Sequence, residues 1–269
     1  MILIGTSGFS FPDWKGPFYP PGIGQKDLLA YYCRFFPAVE LNYSYYTMPT
    51  ASQTLKLSRQ MPENFTFTIK AHRSMTHQPQ DLKQACTDFK KGIEPLLESG
   101  KLGCILWQFP WSFQYSAASL AHIRQLSSLL EGLPNVVEFR HCSWLRPEVE
   151  GVLRENQLGY CTVDEPDLPG LMPPVAKVTG KIAYVRFHGR NREKWWQSRN
   201  SSERYDYLYS TEELAAWLPK IQQLKSTSEK TFIFFNNCHM GQAARNAIQL
   251  QKMLGQVPPD PPPRQGSLF

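Results

Sequence analysis

A carboxylate and a guanidinium stand two residues apart in the apolar stretch 135–144, at Glu138 and Arg140. If this stretch is extended, the two side chains point to the same face, because side chains alternate along a strand with a period of two. Isolated charges are costly to bury in an apolar strand. The spacing therefore indicates either a structural ion pair or a polar pocket at the end of a strand.

The same pattern recurs along the chain, where polar residues lie at the ends of apolar, strand-like stretches. Glu40, Lys70 and Arg186 lie inside such stretches, which a plain change from strand to loop does not explain. In a barrel of parallel strands the carboxyl ends of all strands open onto one shared face. We therefore expect one site at that face. Its other members are Thr6, Asn42, His72, Gln108, Arg140, Asp164, His188, Asn236 and Asn237.

These residue types indicate acid–base chemistry on an anionic substrate. The predicted general acids and bases are Glu40, Glu138, Asp164 and His188. Burial and neighbouring cations tune the pKa values of such groups. The residues predicted to bind the substrate are Asn42, Lys70, His72, Arg140, Arg186, Asn236 and Asn237. The cations among them would neutralise charge that develops in a transition state.

A metal site is an alternative interpretation of the same residues. Five of the six histidines lie at or just after the end of a predicted strand, and together with the acidic residues they could bind a metal ion. Lys70, Arg140 and Arg186 would lie in the same pocket and repel a divalent cation. We therefore predict a site that uses neither a metal nor another cofactor.

Residues 190–209, after the seventh predicted strand, combine cations with aromatic side chains. The cations are Arg190, Arg192, Lys194, Arg199 and Arg204, and the aromatic residues are Trp195, Trp196, Tyr205, Tyr207 and Tyr209. Such a mixture suits single-stranded nucleic acid, because cations bind phosphates and rings stack on bases. The alternative is a lid over the barrel mouth whose aromatic side chains pack on the core.

Apolar stretches of strand length alternate with amphipathic stretches of helix length, which is typical of parallel strands joined by crossover helices. The predicted strands are 2–6, 38–42, 65–70, 102–108, 136–140, 159–164, 182–188 and 231–236. The predicted helices are 26–36, 51–60, 81–98, 117–130, 146–156, 211–224 and 242–254. Prolines in 165–180 predict a loop instead of a helix between strands six and seven. The predicted fold is a single (β/α)8 TIM-like barrel of the α/β class, and a doubly wound open sheet is the alternative.

Length and composition fit one large domain. The chain has 269 residues, of which 42% are hydrophobic, so we expect a barrel domain over residues 1–255. No run approaches the roughly 20 apolar residues that span a bilayer, and the first residues resemble a strand more than a signal peptide. We therefore expect a cytoplasmic protein with no membrane partner. A formal charge of +6 permits a polyanionic partner without requiring one.

Residues 256–269 form a proline-rich tail, which predicts an extended tether. The tail ends with Gln265, Leu268 and Phe269, and its last five residues resemble the short peptide with which bacterial DNA polymerases and repair proteins dock on the sliding clamp. This resemblance implies the clamp as a partner. A chance match and a tail that folds back onto the barrel are the alternatives.

A series of motifs resembles the domain-of-unknown-function-72 family, or YecE-like proteins. The motifs are residues 5–14, Val39-Glu-Leu-Asn42, Phe67-Thr-Ile-Lys70, Leu106-Trp-Gln-Phe-Pro110, Val137-Glu-Phe-Arg-His141, Val185-Arg-Phe-His-Gly189 and Phe234-Phe-Asn-Asn237. The resemblance extends over nearly all of residues 2–254 and implies a TIM-barrel-like fold. It implies no particular activity, because a fold does not fix a function.

The residues predict an enzyme that acts on a phosphorylated or other anionic substrate at the barrel mouth. Nucleic acids and nucleotides are among the candidate substrates, and hydrolysis of phosphoesters is a candidate reaction. One alternative is a non-catalytic module that binds a ligand or nucleic acid and is tethered to the sliding clamp. The other is a metal-dependent phosphodiesterase.

Overall fold

Eight parallel strands form a barrel in this protein, whose computed structural model describes residues 1–78, 81–198 and 201–256. The strands are β1 Ile2–Thr6, β2 Ala38–Leu41, β3 Thr66–Lys70, β4 Leu102–Gln108, β5 Asn135–Glu138, β6 Gly159–Asp164, β7 Ile182–Phe187 and β8 Lys230–Phe235. Consecutive strands from β2 to β8 pair with each other, and β8 also pairs with β1. The remaining edges, those of β1 and β2, meet at a parallel bridge between Ser7 and Glu40. The predicted TIM-like barrel is confirmed.

Helices connect most of the strands. The α-helices are α1 Leu28–Tyr32, α2 Tyr43–Tyr46, α3 Ala51–Gln60, α4 Arg73–Thr76, α5 Leu82–Glu98, α6 Ala117–Leu129, α7 Pro147–Glu155, α8 Ser201–Arg204, α9 Thr211–Ala215, α10 Leu218–Thr227 and α11 Gln242–Met253. Short 3-10 helices span Pro12–Trp14, Gln25–Asp27, Cys142–Trp144 and His239–Gly241. Between β6 and β7, where every residue is described, the chain forms the predicted proline-rich loop and no helix.

Local sequence signals set the ends of several helices. α3 begins with a capping box, in which the Thr50 hydroxyl accepts from the Gln53 N–H and the Gln53 side chain accepts from the Thr50 N–H. α5 begins after Asp81, whose side chain caps its first turn. The predicted helix 211–224 is instead divided into α9 and α10, because Pro219 lies in the first turn of α10. Within a continuous helix this proline would remove a hydrogen bond and clash with the preceding turn.

β7 shows how the strands sort side chains between the inside and the outside of the barrel. Tyr184 and Arg186 point inward, and the Tyr184 ring lies 5.4 Å from the ring of Phe234 on β8. Phe187 points outward, where its ring lies 4.9 Å from the ring of Trp217. Because this alternation holds along each strand, polar residues of the inward parity are brought to the barrel mouth.

The described part of the chain ends at Gln256, whose side-chain amide donates to the carbonyl of Ile2 at 3.1 Å. The rest of the predicted tail, including Gln265, Leu268 and Phe269, lies outside the described residues. Docking on the sliding clamp therefore stays a prediction. None of the helices that the structure describes has the length together with the apolar character that spanning a bilayer requires.

Candidate active site

Arg186 lies at the centre of the barrel mouth between two buried glutamates. Its Nη2 lies 2.7 Å from Glu40 Oε1, and its Nη1 lies 2.8 Å from Glu138 Oε2. The three residues come from β7, β2 and β5, and none is more than 3% exposed. Charges buried this deeply need partners, and each of these has one. The site thus combines the two alternatives that the sequence left open, since ion pairs form part of a polar pocket.

Further donors engage both carboxylate oxygens of Glu40. Tyr184 donates its hydroxyl hydrogen to Oε2 at 2.7 Å, and Asn42 Nδ2 donates to Oε1 at 2.9 Å. Thr68 Oγ1 lies 2.9 Å from the Tyr184 hydroxyl, inside the barrel. Glu40 therefore holds Arg186 and Tyr184 in place and does not present a free oxygen to the mouth of the barrel.

Glu138 is held in its charged form by two arginines. Burial alone would raise its pKa, but Arg186 and Arg140 hold the pKa of Glu138 well below its usual range. Arg140 Nε lies 2.5 Å from Glu138 Oε1, and Arg140 Nη1 lies 2.6 Å from Glu165 Oε2. Like Arg186, Arg140 is fixed between two carboxylates.

His188 is fully buried beside these ion pairs and is neutral. Burial and the nearby charge of Arg140 hold the pKa of His188 well below its usual range. Its Nδ1 lies 3.0 Å from Asn236 Nδ2, which can only donate, so Nδ1 is the acceptor and the ring hydrogen is on Nε2. That Nε2 lies 3.3 Å from Glu138 Oε1. The N–H of His188 Nε2 therefore faces the Glu138 carboxylate.

Lys70 differs from the two arginines, because it makes no ion pair with any carboxylate that the structure describes. Its Nζ donates to Gln108 Oε1 at 2.6 Å and lies 4.2 Å from the centre of the Tyr45 ring. Burial, together with the positive charge of Arg186, lowers the pKa of Lys70 to about 7. Near neutral pH this amine exists in both protonation states in comparable amounts.

These side chains form the floor of a cavity of about 720 Å³ at the carboxyl ends of the strands. Six of the predicted site residues line it, namely Asn42, Lys70, Gln108, Arg140, Arg186 and Asn236. Glu40, Glu138 and His188 lie beneath them and are fully buried. The cations thus face the cavity, and the carboxylates that balance them lie below.

Asp164 lies outside the cavity, which corrects its predicted position. Its carboxylate accepts hydrogen bonds from Arg190 Nε at 2.8 Å and Arg190 Nη2 at 2.6 Å. It also accepts from the Tyr209 hydroxyl at 2.8 Å and from Trp217 Nε1 at 2.7 Å. Through these contacts Asp164 connects the end of β6 to the segment after β7, which contains Arg190 and Tyr209, and to Trp217 in the helix layer.

Strand parity explains this difference. Cys161 points into the barrel, with its Sγ 3.7 Å from Glu138 Oε2. Because side chains alternate along β6, Asp164 points outward and Glu165 points inward. Glu165, which directly follows β6 and which the sequence pattern does not single out, is therefore the acidic residue that this end of the strand contributes to the site.

Two further predicted substrate-binding residues do not line the cavity. His72 caps α4, where its Nδ1 accepts a hydrogen bond from the Ser74 N–H at 3.3 Å. Asn237 is buried, and its Nδ2 donates to the Tyr207 carbonyl at 2.8 Å and to Asn246 Oδ1 at 2.9 Å. Both residues follow the end of a strand, where the chain has turned and strand alternation no longer predicts direction.

Replacing Asp164 with alanine is expected to lower the free energy of unfolding by about 2–4 kcal/mol, because buried donors lose their acceptor. Ligand binding in the cavity should persist in the folded fraction. Urea unfolding measures the first effect, and Asp167→Ala, at an exposed position of the next loop, is the control with an expected change within about 0.5 kcal/mol. If Asp164→Ala left the free energy of unfolding unchanged and abolished ligand binding, Asp164 would be a binding residue after all.

The segment after β7 contributes to both the core and the cavity. Trp195 is buried, and Arg190 is engaged in the ion pair with Asp164. Tyr205 lines the cavity, whereas Arg199 lies outside the described residues. The lid and the nucleic-acid contact both stay predictions for this segment.

Within residues 1–78, 81–198 and 201–256, no three histidine, cysteine or acidic side chains come together in a way that could hold a metal ion. Glu40 and Glu138, beneath the cavity, are bound by arginine instead, and Asp13, which lines the cavity, accepts a hydrogen bond from the Met240 N–H at 2.7 Å. The metal-dependent phosphodiesterase alternative therefore has no set of ligands in the described part of the chain.

Comparison with known proteins shows the family. The family described as "Protein of unknown function DUF72" matches residues 3–266 of this chain. The chain belongs to the DUF72 family. The predicted family is thereby confirmed, and its description assigns no activity.

Individual proteins resemble this chain over 95% or more of its length. The UPF0759 protein YunF of Bacillus subtilis strain 168 is 33% identical over 285 residues, which cover 100% of both chains. A crystal structure of a DUF72 protein from Thermotoga maritima MSB8 has a TM-score of 0.89 and 42% identity, with 95% of this chain and 99% of that chain covered. One from Enterococcus faecalis V583 has a TM-score of 0.86 and 28% identity, with 98% and 99% covered. The barrel is thus shared by these DUF72 proteins.

Proposed function

We propose that this DUF72 protein is an enzyme that acts on an anionic substrate, such as a phosphorylated compound or a nucleotide, in the cavity at the barrel mouth. The observation that supports this function is the layering of charge. Lys70, Arg140 and Arg186 line the cavity, whereas Glu40 and Glu138 lie beneath them. One carboxylate, that of Asp13, also lines the cavity and accepts a hydrogen bond from the Met240 N–H. The three cations offer a ligand N–H donors, and such donors bind phosphate and carboxylate oxygens well.

The arginines are fixed before a ligand arrives. Arg186 is bound to Glu40 and Glu138, and Arg140 is bound to Glu138 and Glu165. Donors that are already oriented need no rearrangement when negative charge develops on a substrate, so they stabilise a transition state effectively. In this proposal the carboxylates position the arginines and do not contact the substrate.

Lys70 is the group in this proposal that transfers a proton. A general acid or base works best when its pKa lies near the working pH, and the pKa of Lys70 is lowered to about 7 by burial and by Arg186. Glu40, Glu138 and His188, the acid–base candidates of the sequence, are buried below the cavity floor. They act as positioning residues for Arg186 and Arg140.

A non-catalytic nucleic-acid-binding module is the second candidate function. Trp111 and Trp196 are 39% and 50% exposed, and their rings lie 5.2 Å apart. Exposed rings can stack on the bases of a single strand. Docking on the sliding clamp through Gln265, Leu268 and Phe269 would place such a module on DNA. Turnover of a phosphoester separates the two candidates, because a binding module releases its ligand unchanged.

Arg140→Gln is expected to weaken the binding of inorganic phosphate or a nucleoside monophosphate by about 10- to 100-fold, because a charge-assisted hydrogen bond contributes about 1.5–3 kcal/mol. Isothermal titration calorimetry on the full chain measures the dissociation constants. Arg124→Gln, which removes an exposed arginine of α6, is the matched control and should leave binding unchanged.

The outcomes separate the explanations. Equal loss in Arg124→Gln and Arg140→Gln would indicate a general effect of net charge, and no binding by the wild-type chain would contradict an anion site. Binding followed by conversion in a phosphoester screen supports the enzyme, whereas binding of single-stranded DNA without conversion supports the module.

A further inference from the structure

Among the lysines that the structure describes, Lys70 is the one that lines the cavity at the barrel mouth. Lys101 is buried away from the cavity, and its Nζ donates to the carbonyls of Ser58 and Met61, each at 2.5 Å. Lys177 is paired with Glu150 at 2.8 Å. The Nζ of Lys70 donates to the neutral side-chain amide oxygen of Gln108 at 2.6 Å. It lines an open cavity, and no carboxylate of the described chain forms an ion pair with it.

The surroundings of Lys70 favour a neutral amine. Burial and the charge of Arg186 lower the pKa of Lys70 to about 7. The charged and titratable groups that face it are Glu40 from β2, Glu138 and Arg140 from β5, Arg186 from β7, His77 from the end of α4 and Tyr45 from α2. The charges of Glu40 and Glu138 balance those of the two arginines, so the carboxylates do not offset burial, which is the largest effect on the amine and favours its neutral form. A lysine in such a setting is an activated nucleophile.

The same cavity offers a place for a negatively charged group of the substrate. Arg140 and Arg186 line it together with Lys70, and both are fixed by buried carboxylates. A bifunctional molecule with an anionic group and an electrophilic carbon can contact the arginines and the amine at once. Holding the two reacting groups together raises their effective concentration.

We propose that Lys70 is a nucleophile that forms an imine with the carbonyl carbon of an aldehyde or ketone whose phosphate or carboxylate is bound by Arg140 and Arg186. This inference rests on the proposed anion-binding function and adds the functional group on which the enzyme acts. It also narrows the substrate class from anions in general to anionic carbonyl compounds.

The step balances without a further reactant. The neutral Nζ of Lys70 attacks the carbonyl carbon and forms a C–N bond, while the π pair of the carbonyl moves to its oxygen. The two hydrogens that the amine loses leave with that oxygen as water, and a C=N bond remains. A proton from the solvent gives the cationic iminium. The Tyr45 ring, 4.2 Å from Nζ, would stabilise that charge through a cation–π contact.

Reductive trapping tests the proposal on the full-length chain. The protein is incubated near neutral pH with sodium cyanoborohydride and either pyruvate or dihydroxyacetone phosphate, which carry a carboxylate and a phosphate. Peptide mass spectrometry should find the reduced adduct on Lys70, formed at least about tenfold faster than on Lys101 or on the exposed Lys56. Acetone, which has no anionic group, should label Lys70 at least about tenfold more slowly than the two anionic probes.

Variants and the pattern of labelling decide the result. Lys70→Met should abolish the fast adduct, while Lys56→Met should leave it unchanged. If the chain binds phosphate as proposed and neither anionic probe labels Lys70 ahead of the exposed lysines, the imine is contradicted and the proposed function stands. If phosphate binding fails as well, both are contradicted. Equal labelling by acetone and by the anionic probes would show a reactive amine without the proposed role of the arginines.

Discussion

Replacing Arg186 with methionine is expected to lower the free energy of unfolding by about 3–5 kcal/mol, the typical cost of removing one partner from a buried ion pair. The substitution keeps most of the side-chain volume but removes a cation from Glu40 and Glu138, both of which are 0% exposed. Glu138 retains Arg140 at 2.5 Å, whereas the contacts that remain to Glu40 come from uncharged donors such as Tyr184. Urea unfolding near pH 7 measures the loss.

The loss should depend on pH with a defined sign. In the wild-type protein burial opposes the charge of Glu138, but Arg186 and Arg140 hold its pKa well below the usual range. The ion pairs of Glu138 therefore stabilise the folded protein at every pH above the ordinary carboxyl pKa of about 4.3. This stabilisation is lost as the pH falls through the lower pKa that Glu138 has in the folded state. In Arg186→Met, protonation of the uncompensated carboxylates relieves the cost. The difference between the two proteins should shrink as the pH falls from neutral.

Arg154→Met is the matched control for this experiment. Arg154 Nη2 lies 2.8 Å from Glu150 Oε1 in an i, i+4 pair on α7, and the arginine side chain is 55% exposed. Exposed pairs of this kind contribute about 0.3–0.5 kcal/mol. A cost for Arg186→Met that is no larger than this would mean that the buried ion pairs do not stabilise the barrel, and that Arg186 serves the ligand alone.

The barrel could be predicted because each strand is a short stretch rich in apolar residues and because few topologies accommodate parallel strands joined by crossover segments. The prolines after β6 predict that a loop replaces the helix between β6 and β7, because proline disrupts a helix interior. The division of α9 and α10 at Pro219 is harder to predict, since the amphipathic pattern continues through it. α2 is only four residues long, so its pattern is too short to identify.

The candidate site could be predicted where one face of a strand is marked by charge. Glu138 and Arg140 show the inward parity of β5 directly, and the structure places both at the cavity or just beneath it. β6 is buried on both faces, so its hydrophobic pattern does not distinguish Asp164 from Glu165. Tyr45 comes from a helix after β2, and strand alternation does not predict the path of the chain there.

Competitive acetylation should show that Lys70 titrates with a pKa of about 7, because burial and Arg186 disfavour its charged form. An ordinary lysine has a pKa of about 10.4, so roughly one amine in a few thousand is neutral at pH 7, against about half for Lys70. The measurement follows the trace labelling of each lysine peptide with acetic anhydride as the pH is varied. The exposed Lys56 on α3 is the internal comparison and should show the ordinary titration.

Arg140→Gln should raise the pKa of Lys70, since Arg140 is one of the charges that lower it, after burial and Arg186. The lowered pKa also has a consequence for stability. Between about 7 and 10.4 the unfolded state binds more protons at this lysine than the folded state does, so the free energy of unfolding should rise with pH across that window. Lys70→Met should lack this rise, whereas Lys56→Met should retain it. An ordinary titration of Lys70, unchanged by Arg140→Gln, would contradict both its role in proton transfer and the imine, and would leave the cavity with an amine that only binds anions.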